Sequence, residues 1–147
     1  MRSLRLPGVA PGVAALGFAV TAFDAAPTAI SMARVRHPGS WVTYVVADVL
    51  APPAAWTAAF DLVVESLTVQ SLPPEAHAAA ITAIGSFVAP GGTLLVIASA
   101  ADRPPRSGPP FPLTRAEVES FALPVHAIEE LPGENFPLWR AEFTARG

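Results

Sequence analysis

The stretch that decides the fold is Ala19-Val20-Thr21-Ala22-Phe23-Asp24, a short apolar run that ends at an acid. Three further runs of the same kind follow it, over residues 42–46, 60–64 and 93–97. Each is rich in β-branched residues and nearly continuous in hydrophobicity, which is typical of strands buried on both faces. The four runs therefore predict the central strands of a parallel sheet.

Helical signals separate the predicted strands. Prolines suited to a first helical turn open predicted helices over residues 27–36 and 74–87. Thr114 and Glu117 form a capping-box pattern at the start of a third helix, which ends near Phe121. Because strands alternate with helices, the connections are expected to be right-handed crossovers.

The C-terminal region has a different pattern. Residues 126–131 and 138–143 are typical of two strands joined by a turn, which predicts a β-hairpin. Residues 102–112 contain five prolines and are expected to form an irregular loop. The predicted fold is therefore α/β: a Rossmann-like, doubly wound, mostly parallel sheet that ends in an antiparallel C-terminal hairpin.

Composition excludes several classes of protein. The chain is 52% hydrophobic and only 14% charged, as expected of a globular domain. It has no cysteine, which excludes disulfides and thiolate metal sites. A net charge of -3 argues against a nucleic-acid partner, because such surfaces need clustered positive charge.

The N-terminal stretch raises the question of location. Arg2 and Arg5 precede a mostly apolar segment over residues 6–20, as in a secretory signal. Prolines and glycines interrupt that segment repeatedly, and no apolar run reaches the roughly 20 residues of a membrane-spanning helix. We therefore expect a cytoplasmic protein with no membrane partner.

Acids close three of the predicted strands: Asp24, Asp48 and Glu65. Ligands of open α/β sheets bind beyond the carboxyl ends of the strands, where strand order reverses. An acid at that position can accept hydrogen bonds from ribose hydroxyls, so the pattern indicates an adenosine-type cofactor. The alternative for Asp24 is that it only caps the next helix, where an anion is also favoured.

Four segments in order along the chain carry a family resemblance: residues 20–24, 46–50, 60–65 and 90–94. Together with the terminal hairpin they resemble class I S-adenosylmethionine-dependent methyltransferases. Residues 67–74 further resemble the small-molecule, thiopurine-methyltransferase-like group. The resemblance implies methyl transfer from S-adenosylmethionine to a small-molecule acceptor.

The resemblance also implies roles around the adenosine. Asp24 would bind the ribose hydroxyls, and Ala25 would lie beside the adenine. Asp48 would accept from the adenine amino group, while Val49 would pack on the ring and offer its N–H. Glu65 and the following Ser66 would stand near the methionine moiety and the transferred methyl.

The family's glycine-rich loop corresponds to residues 8–12, which depart from the G-x-G-x-G pattern. Gly8, Ala10 and Gly12 would face the cofactor, with Ala10 in place of the middle glycine and Pro11 lacking an N–H donor. A residual strand over residues 3–6 is expected before this loop, and only residues 13–16 remain for the next helix. We therefore predict one domain over residues 1–147 whose N-terminal strand and first helix are truncated.

Two other functions compete with the methyltransferase. A degenerate, non-catalytic domain of the same fold is favoured by the altered loop. A nicotinamide-dependent oxidoreductase would need a G-x-G-x-x-G pattern, which neither Gly8 nor Gly12 begins. No catalytic residue is assigned, because methyl transfer can rest on proximity and orientation alone.

The histidines and tryptophans are given mainly structural interpretations. The histidines share no metal-ligand spacing, so no metal site is predicted. His77 is interpreted as a surface or boundary residue, with a catalytic role as the alternative. The tryptophans are expected to be packing anchors, with a substrate pocket as the alternative for Trp139. The six residues are His37, His77, His126, Trp41, Trp56 and Trp139.

Overall fold

The structure, a computed structural model, describes the backbone of residues 2–5 and the whole of residues 10–101 and 108–147. Within these residues it contains seven strands in one sheet. They are β1 (Arg2–Arg5), β2 (Ala19–Asp24), β3 (Thr43–Val46), β4 (Phe60–Ser66), β5 (Val88–Ser99), β6 (Val125–Leu131) and β7 (Leu138–Thr144). The α-helices of the same residues are α1 (Ala10–Ala14), α2 (Pro27–Arg36), α3 (Pro74–Ser86) and α4 (Arg115–Glu119).

The strand order is β3-β2-β1-β4-β5-β7-β6, which confirms the predicted doubly wound sheet. β1 pairs in parallel with both β2 and β4. The chain moves outward from β1 to β3, then crosses back and moves outward in the other direction from β4. The strand order therefore reverses between β1 and β4, which is where such sheets bind their ligands.

The terminal hairpin is confirmed as well. β7 inserts between β5 and β6 and pairs antiparallel with both of them. Trp139 of β7 is buried, and its indole N–H donates to the carbonyl of Leu113 at 2.9 Å. The buried ring supports its interpretation as a packing anchor.

Local sequence explains where the helices begin. α2 and α3 both start at a proline, as predicted, since proline lacks the N–H that a first turn leaves unpaired. The capping box of α4 is present: Glu117 N–H donates to Thr114 Oγ1 at 3.1 Å, and Thr114 N–H donates to Glu117 Oε1 at 3.0 Å. These bonds satisfy two backbone donors at the helix start.

The fourth predicted strand begins earlier than expected. Residues 90–92 lie inside β5 rather than before it. Gly91 has a φ of +74°, and a Cβ on Gly92 would lie 2.9 Å from the carbonyl oxygen of Ala89 and 3.0 Å from that of Asp61. The pairing of β5 with β4 shifts its register here, and glycine suits position 92 because β4 comes too close for a side chain.

The predicted N-terminal loop is also corrected. Ala10 and Gly12 lie in α1 rather than in a loop, and Ala10 is fully buried. Gly8 lies outside the described residues. The predicted strand over residues 3–6 is present as β1, whose described part ends at Arg5.

Two clusters of buried side chains flank the sheet. The larger one packs α3 and α4 against β4, β5 and β7, and Trp56 contacts Phe23, Phe60 and Phe87 edge-on at centroid distances of 5.0, 6.1 and 5.6 Å. The smaller one fills the space between α1, α2, β2 and β3. Trp41 belongs to neither cluster and is 91% exposed, so its prediction as a packing anchor is wrong.

No helix in the described part of the chain is long and apolar enough to cross a membrane.

Candidate cofactor site

A cavity of about 250 Å³ opens at the carboxyl ends of β2, β3 and β4, beside the reversal of strand order. Residues 23–25 and 47–49 form one side, which we call the strand-end wall. Residues 67–72 follow β4 and form the other side, which we call the wall segment. The lining residues are Phe23, Asp24, Ala25, Ala47, Asp48, Val49, Leu67, Thr68, Ser71 and Leu72.

The strand-end wall brings two predicted site acids together. β2 and β3 are adjacent and parallel, and the carbonyl of Asp24 accepts from Ala47 N–H at 3.0 Å. Each carboxylate makes one local bond: Asp24 Oδ1 accepts from Ala26 N–H at 2.8 Å, and Asp48 Oδ1 accepts from Leu50 N–H at 2.9 Å. These turns hold both side chains at the same edge of the sheet.

Helix capping does not account for Asp24. The N-cap of α2 is Ala26, and no side-chain hydrogen bond caps this helix. The second oxygen of Asp24 has no hydrogen-bond partner among the described residues, and the same holds for Asp48. Because a carboxylate accepts hydrogen bonds at both oxygens, each aspartate keeps acceptor capacity for a ligand.

The wall segment is shaped by Glu65 at the end of β4. Leu67 takes a φ of +64°, in the left-handed region that non-glycine residues rarely adopt. Glu65 Oε1 accepts from Thr68 N–H at 2.6 Å and from Val69 N–H at 3.0 Å. A single carboxylate oxygen therefore holds the turn and the short 3-10 helix Val69–Ser71 that follows it.

Glu65 is itself only 2% exposed. Burial raises its pKa from the ordinary 4.5 to about 7, although the bonds from Val69 and Thr68 and the charge of His77 act in the opposite direction. Its Oε2 has no partner among the described residues. Neither Glu65 nor Ser66 lines the cavity, so the structure does not bring them to the two aspartates.

Gln70 is a buried polar residue that sequence reasoning missed. It is 7% exposed, and its Oε1 accepts from Ser99 N–H at 2.7 Å. Its backbone carbonyl accepts from Phe111 N–H at 2.7 Å. Gln70 thus ties the wall segment to the end of β5 and to the chain that returns towards α4.

His77 is buried, so its interpretation as a surface or boundary residue is wrong. Its Nε2 lies 2.9 Å from the carbonyl oxygen of Leu72, and its Nδ1 lies 2.5 Å from Glu117 Oε2. The sequence held a signal for this burial. The apolar face of α3, which includes Ala80 and Ile84, extends at helical spacing back to position 77.

The glycine-loop positions do not reach this cavity among the described residues. Ala10 and Gly12 are absent from its lining. A Cβ on Gly12 would meet no atom within 4 Å, so packing does not require glycine there. Gly8 lies outside the described residues.

A second cavity, of about 380 Å³, lies between α1 and the turn after α2. Trp41 and His37 line it, together with small residues of α1. It lies away from the carboxyl ends of the strands and is lined by no acid. Its chemistry therefore fits an adenosine cofactor less well than the smaller cavity does.

Residues 10–101 and 108–147 contain no group of three or more histidine, cysteine, aspartate or glutamate side chains that could hold a metal ion.

The fold and the cavity agree with a match to a known family. A family model described as a methyltransferase domain matches residues 8–92, which is more than half of the chain. The chain belongs to the methyltransferase domain family. The predicted resemblance to class I S-adenosylmethionine-dependent methyltransferases is thereby confirmed, and the cofactor of this methyltransferase domain is S-adenosylmethionine.

Solved structures share the fold of the methyltransferase domain. The N-methyltransferase NodS from Bradyrhizobium japonicum WM9, in complex with S-adenosylhomocysteine, is 22% identical with a TM-score of 0.79; the match covers 99% of this chain and 78% of NodS. The 1,6-didemethyltoxoflavin-N1-methyltransferase from Burkholderia thailandensis is 17% identical with a TM-score of 0.74, covering 99% of this chain and 71% of that protein. No curated protein sequence matches the chain significantly.

Proposed function

We propose that this domain transfers a methyl group from S-adenosylmethionine to a small-molecule acceptor, with the cofactor bound between the strand-end wall and the wall segment. One observation carries the placement: Asp24 and Asp48 lie at the ends of adjacent parallel strands and line one cavity. Each has a carboxylate oxygen without a protein partner among the described residues.

The strand-end wall would hold the adenosine. The Asp24 carboxylate would accept from the ribose hydroxyls, which present two donors to a single acid. The Asp48 carboxylate would accept from the adenine amino group. Ala25 and the buried Val49 would pack against the ring, and Val49 N–H would donate to a ring nitrogen.

The wall segment would close the other side of the cofactor. Thr68 and Ser71 offer hydroxyl groups there, and Leu72 offers apolar surface. Glu65 would act indirectly, because its carboxylate would hold the turn of the wall segment and would not contact the methionine moiety. The bound cofactor supplies a methyl group on a sulfonium, so the protein need only orient the acceptor in line with it.

The acceptor class belongs to the same proposal. One structure of the same fold is named for its action on 1,6-didemethyltoxoflavin, a small molecule, which supports an acceptor of that size. We also propose that residues 1–147 form one domain and that the reaction takes place in the cytoplasm. Cell fractionation tests the location.

A non-catalytic domain of the same fold is the second candidate. The helical conformation of Ala10 and Gly12 favours it, because these residues do not provide the open glycine loop that the family pattern has. A domain of this kind would retain the cavity yet transfer no methyl group.

Thermal-shift measurements with S-adenosylhomocysteine, NAD and NADP test the proposal. We expect the first ligand alone to raise Tm by several degrees, since a ligand at 100 times its Kd stabilises the fold by about 2.7 kcal/mol. Stabilisation by NAD or NADP alone would reject the proposal. Transfer of labelled methyl from S-adenosylmethionine to a low-molecular-weight extract then separates a catalyst from a non-catalytic binder.

A further inference from the structure

The wall segment is anchored by a buried residue that does not itself line the cavity. His77, at 2% exposure, lies on the buried face of α3. Its Nε2 lies 2.9 Å from the carbonyl oxygen of Leu72, the residue that ends the wall segment and lines the cavity. A carbonyl oxygen can only accept, so Nε2 carries the hydrogen of this bond.

The other ring nitrogen joins His77 to α4. Nδ1 lies 2.5 Å from Glu117 Oε2, and the second oxygen of Glu117 accepts from Thr114 N–H in the capping box. Glu117 is thus fixed at one oxygen by its own helix and presents the other to the histidine. A carboxylate in this position sets the orientation of the imidazole.

We infer that His77 is a positioning residue for cofactor binding: oriented by Glu117, its ring holds the Leu72 carbonyl and so fixes the wall segment against the cofactor. This inference rests on the proposed function, because it assumes that the cofactor lies in this cavity. His77 does not line the cavity, so its effect on the cofactor passes through Leu72.

The anchor at His77 complements the two others along the same segment. Glu65 holds the start of the segment through Thr68 N–H, and Gln70 holds its middle through Ser99 N–H. His77 holds its end. Without this third contact, the Leu72 carbonyl loses its histidine donor, and the segment is free to turn away from the strand-end wall.

Two amide substitutions test the inference as a matched pair. Glutamine at position 77 places its amide nitrogen near the site of Nε2, so His77→Gln keeps a donor for Leu72. Asparagine is shorter and reaches only the site of Nδ1, so His77→Asn keeps a partner for Glu117 but none for Leu72. The Kd of S-adenosylhomocysteine is measured for both variants by calorimetry.

We expect His77→Asn to raise the Kd about tenfold, because a tenfold change corresponds to the free energy of about one hydrogen bond. The Kd of His77→Gln should stay within about threefold of the wild-type value. Phe143→Leu, a substitution at a fully buried core position of β7, serves as the control for lost stability, and its Kd should match the wild type.

Equal Kd values for the two amide variants would overturn the inference, as would an equal loss of affinity in Phe143→Leu. If the wild type itself does not bind S-adenosylhomocysteine, the proposed function fails rather than the role of His77. If His77→Asn does not fold, limited proteolysis of His77→Gln replaces the comparison of Kd values. A wall segment that is protected as in the wild type supports the inference. New cleavage within residues 67–72 contradicts it.

Discussion

The two walls of the proposed cofactor cavity are held in place by different means. In the strand-end wall, Asp24 and Asp48 are fixed only by the sheet and by one turn bond each, and their remaining oxygens are free of described partners. For the wall segment, the polar side chains that fix the backbone are buried and do not line the cavity: Glu65, Gln70 and His77.

This difference separates binding from stability. Substitutions in the strand-end wall should remove contacts to the ligand and leave folding almost unchanged. Substitutions of Glu65, Gln70 or His77, which hold the wall segment, should change the free energy of unfolding and alter binding only as a consequence. We expect the change in the free energy of unfolding to be largest at Glu65, smaller at Gln70 and smallest at Asp48.

The largest effect concerns the charge of Glu65. Because its pKa is raised from 4.5 to about 7 in the folded protein, the fold binds its proton more tightly than the unfolded chain does. The contribution of Glu65 to the free energy of unfolding is therefore fully present below pH 4.5. It falls by about 3 kcal/mol as the pH rises to 7. Glu65→Gln, which is neutral and keeps the acceptor for Thr68 and Val69, should abolish this loss.

Urea denaturation of the wild type and Glu65→Gln from pH 4.5 to pH 7.5 measures the difference. The free energy of unfolding of Glu65→Gln, relative to that of the wild type, should rise by about 3 kcal/mol between pH 4.5 and pH 7.5. Glu75→Gln, a substitution at an exposed position of α3, is the control and should show no such shift. Parallel curves for the wild type and Glu65→Gln would show that burial does not perturb this carboxyl.

A smaller effect is expected from Gln70→Leu. The substitution keeps the volume but removes the acceptor for Ser99 N–H, which lies in a buried position. An unpaired buried donor costs about 1–3 kcal/mol, so the urea midpoint should fall accordingly. Ser71→Ala, which removes only an exposed hydroxyl of the same segment, should cost much less. Equal losses would mean that Gln70 does not anchor the wall.

The smallest effect on stability is expected in the strand-end wall. Asp48→Asn keeps the oxygen that accepts from Leu50 N–H, so the free energy of unfolding should change by no more than about 0.5 kcal/mol. Its Kd for S-adenosylhomocysteine should nevertheless rise about tenfold, because a donor replaces the acceptor that we propose for the adenine amino group. Glu134→Gln, which changes the same charge in the exposed hairpin turn, is the control.

The parts of the molecule that the sequence predicted well are those that local pattern determines. The position of Pro27 predicted where α2 begins, and Asp24 and Asp48 were placed at the strand ends where the structure has them. Parallel strands align their carboxyl ends, so the positions of the two acids in the sequence were sufficient to predict that they lie close together.

The wall segment could not be predicted in the same way. Its shape depends on a left-handed residue at Leu67 and on bonds between positions far apart in sequence, such as Gln70 with Ser99 and His77 with Glu117. Polar residues of this kind look like surface residues in a sequence, because their partners become visible only in three dimensions. His77 alone lay on a detectable apolar helix face.

The central claim is that Asp24 holds the cofactor while contributing little to the fold. Calorimetric titration of S-adenosylhomocysteine into the wild type and Asp24→Ala, with urea denaturation of both, tests it directly. We predict measurable binding to the wild type, a loss of at least about tenfold in Asp24→Ala, and unfolding free energies that agree to within about 1 kcal/mol. Unchanged affinity in a folded Asp24→Ala would contradict the account and place the ribose elsewhere.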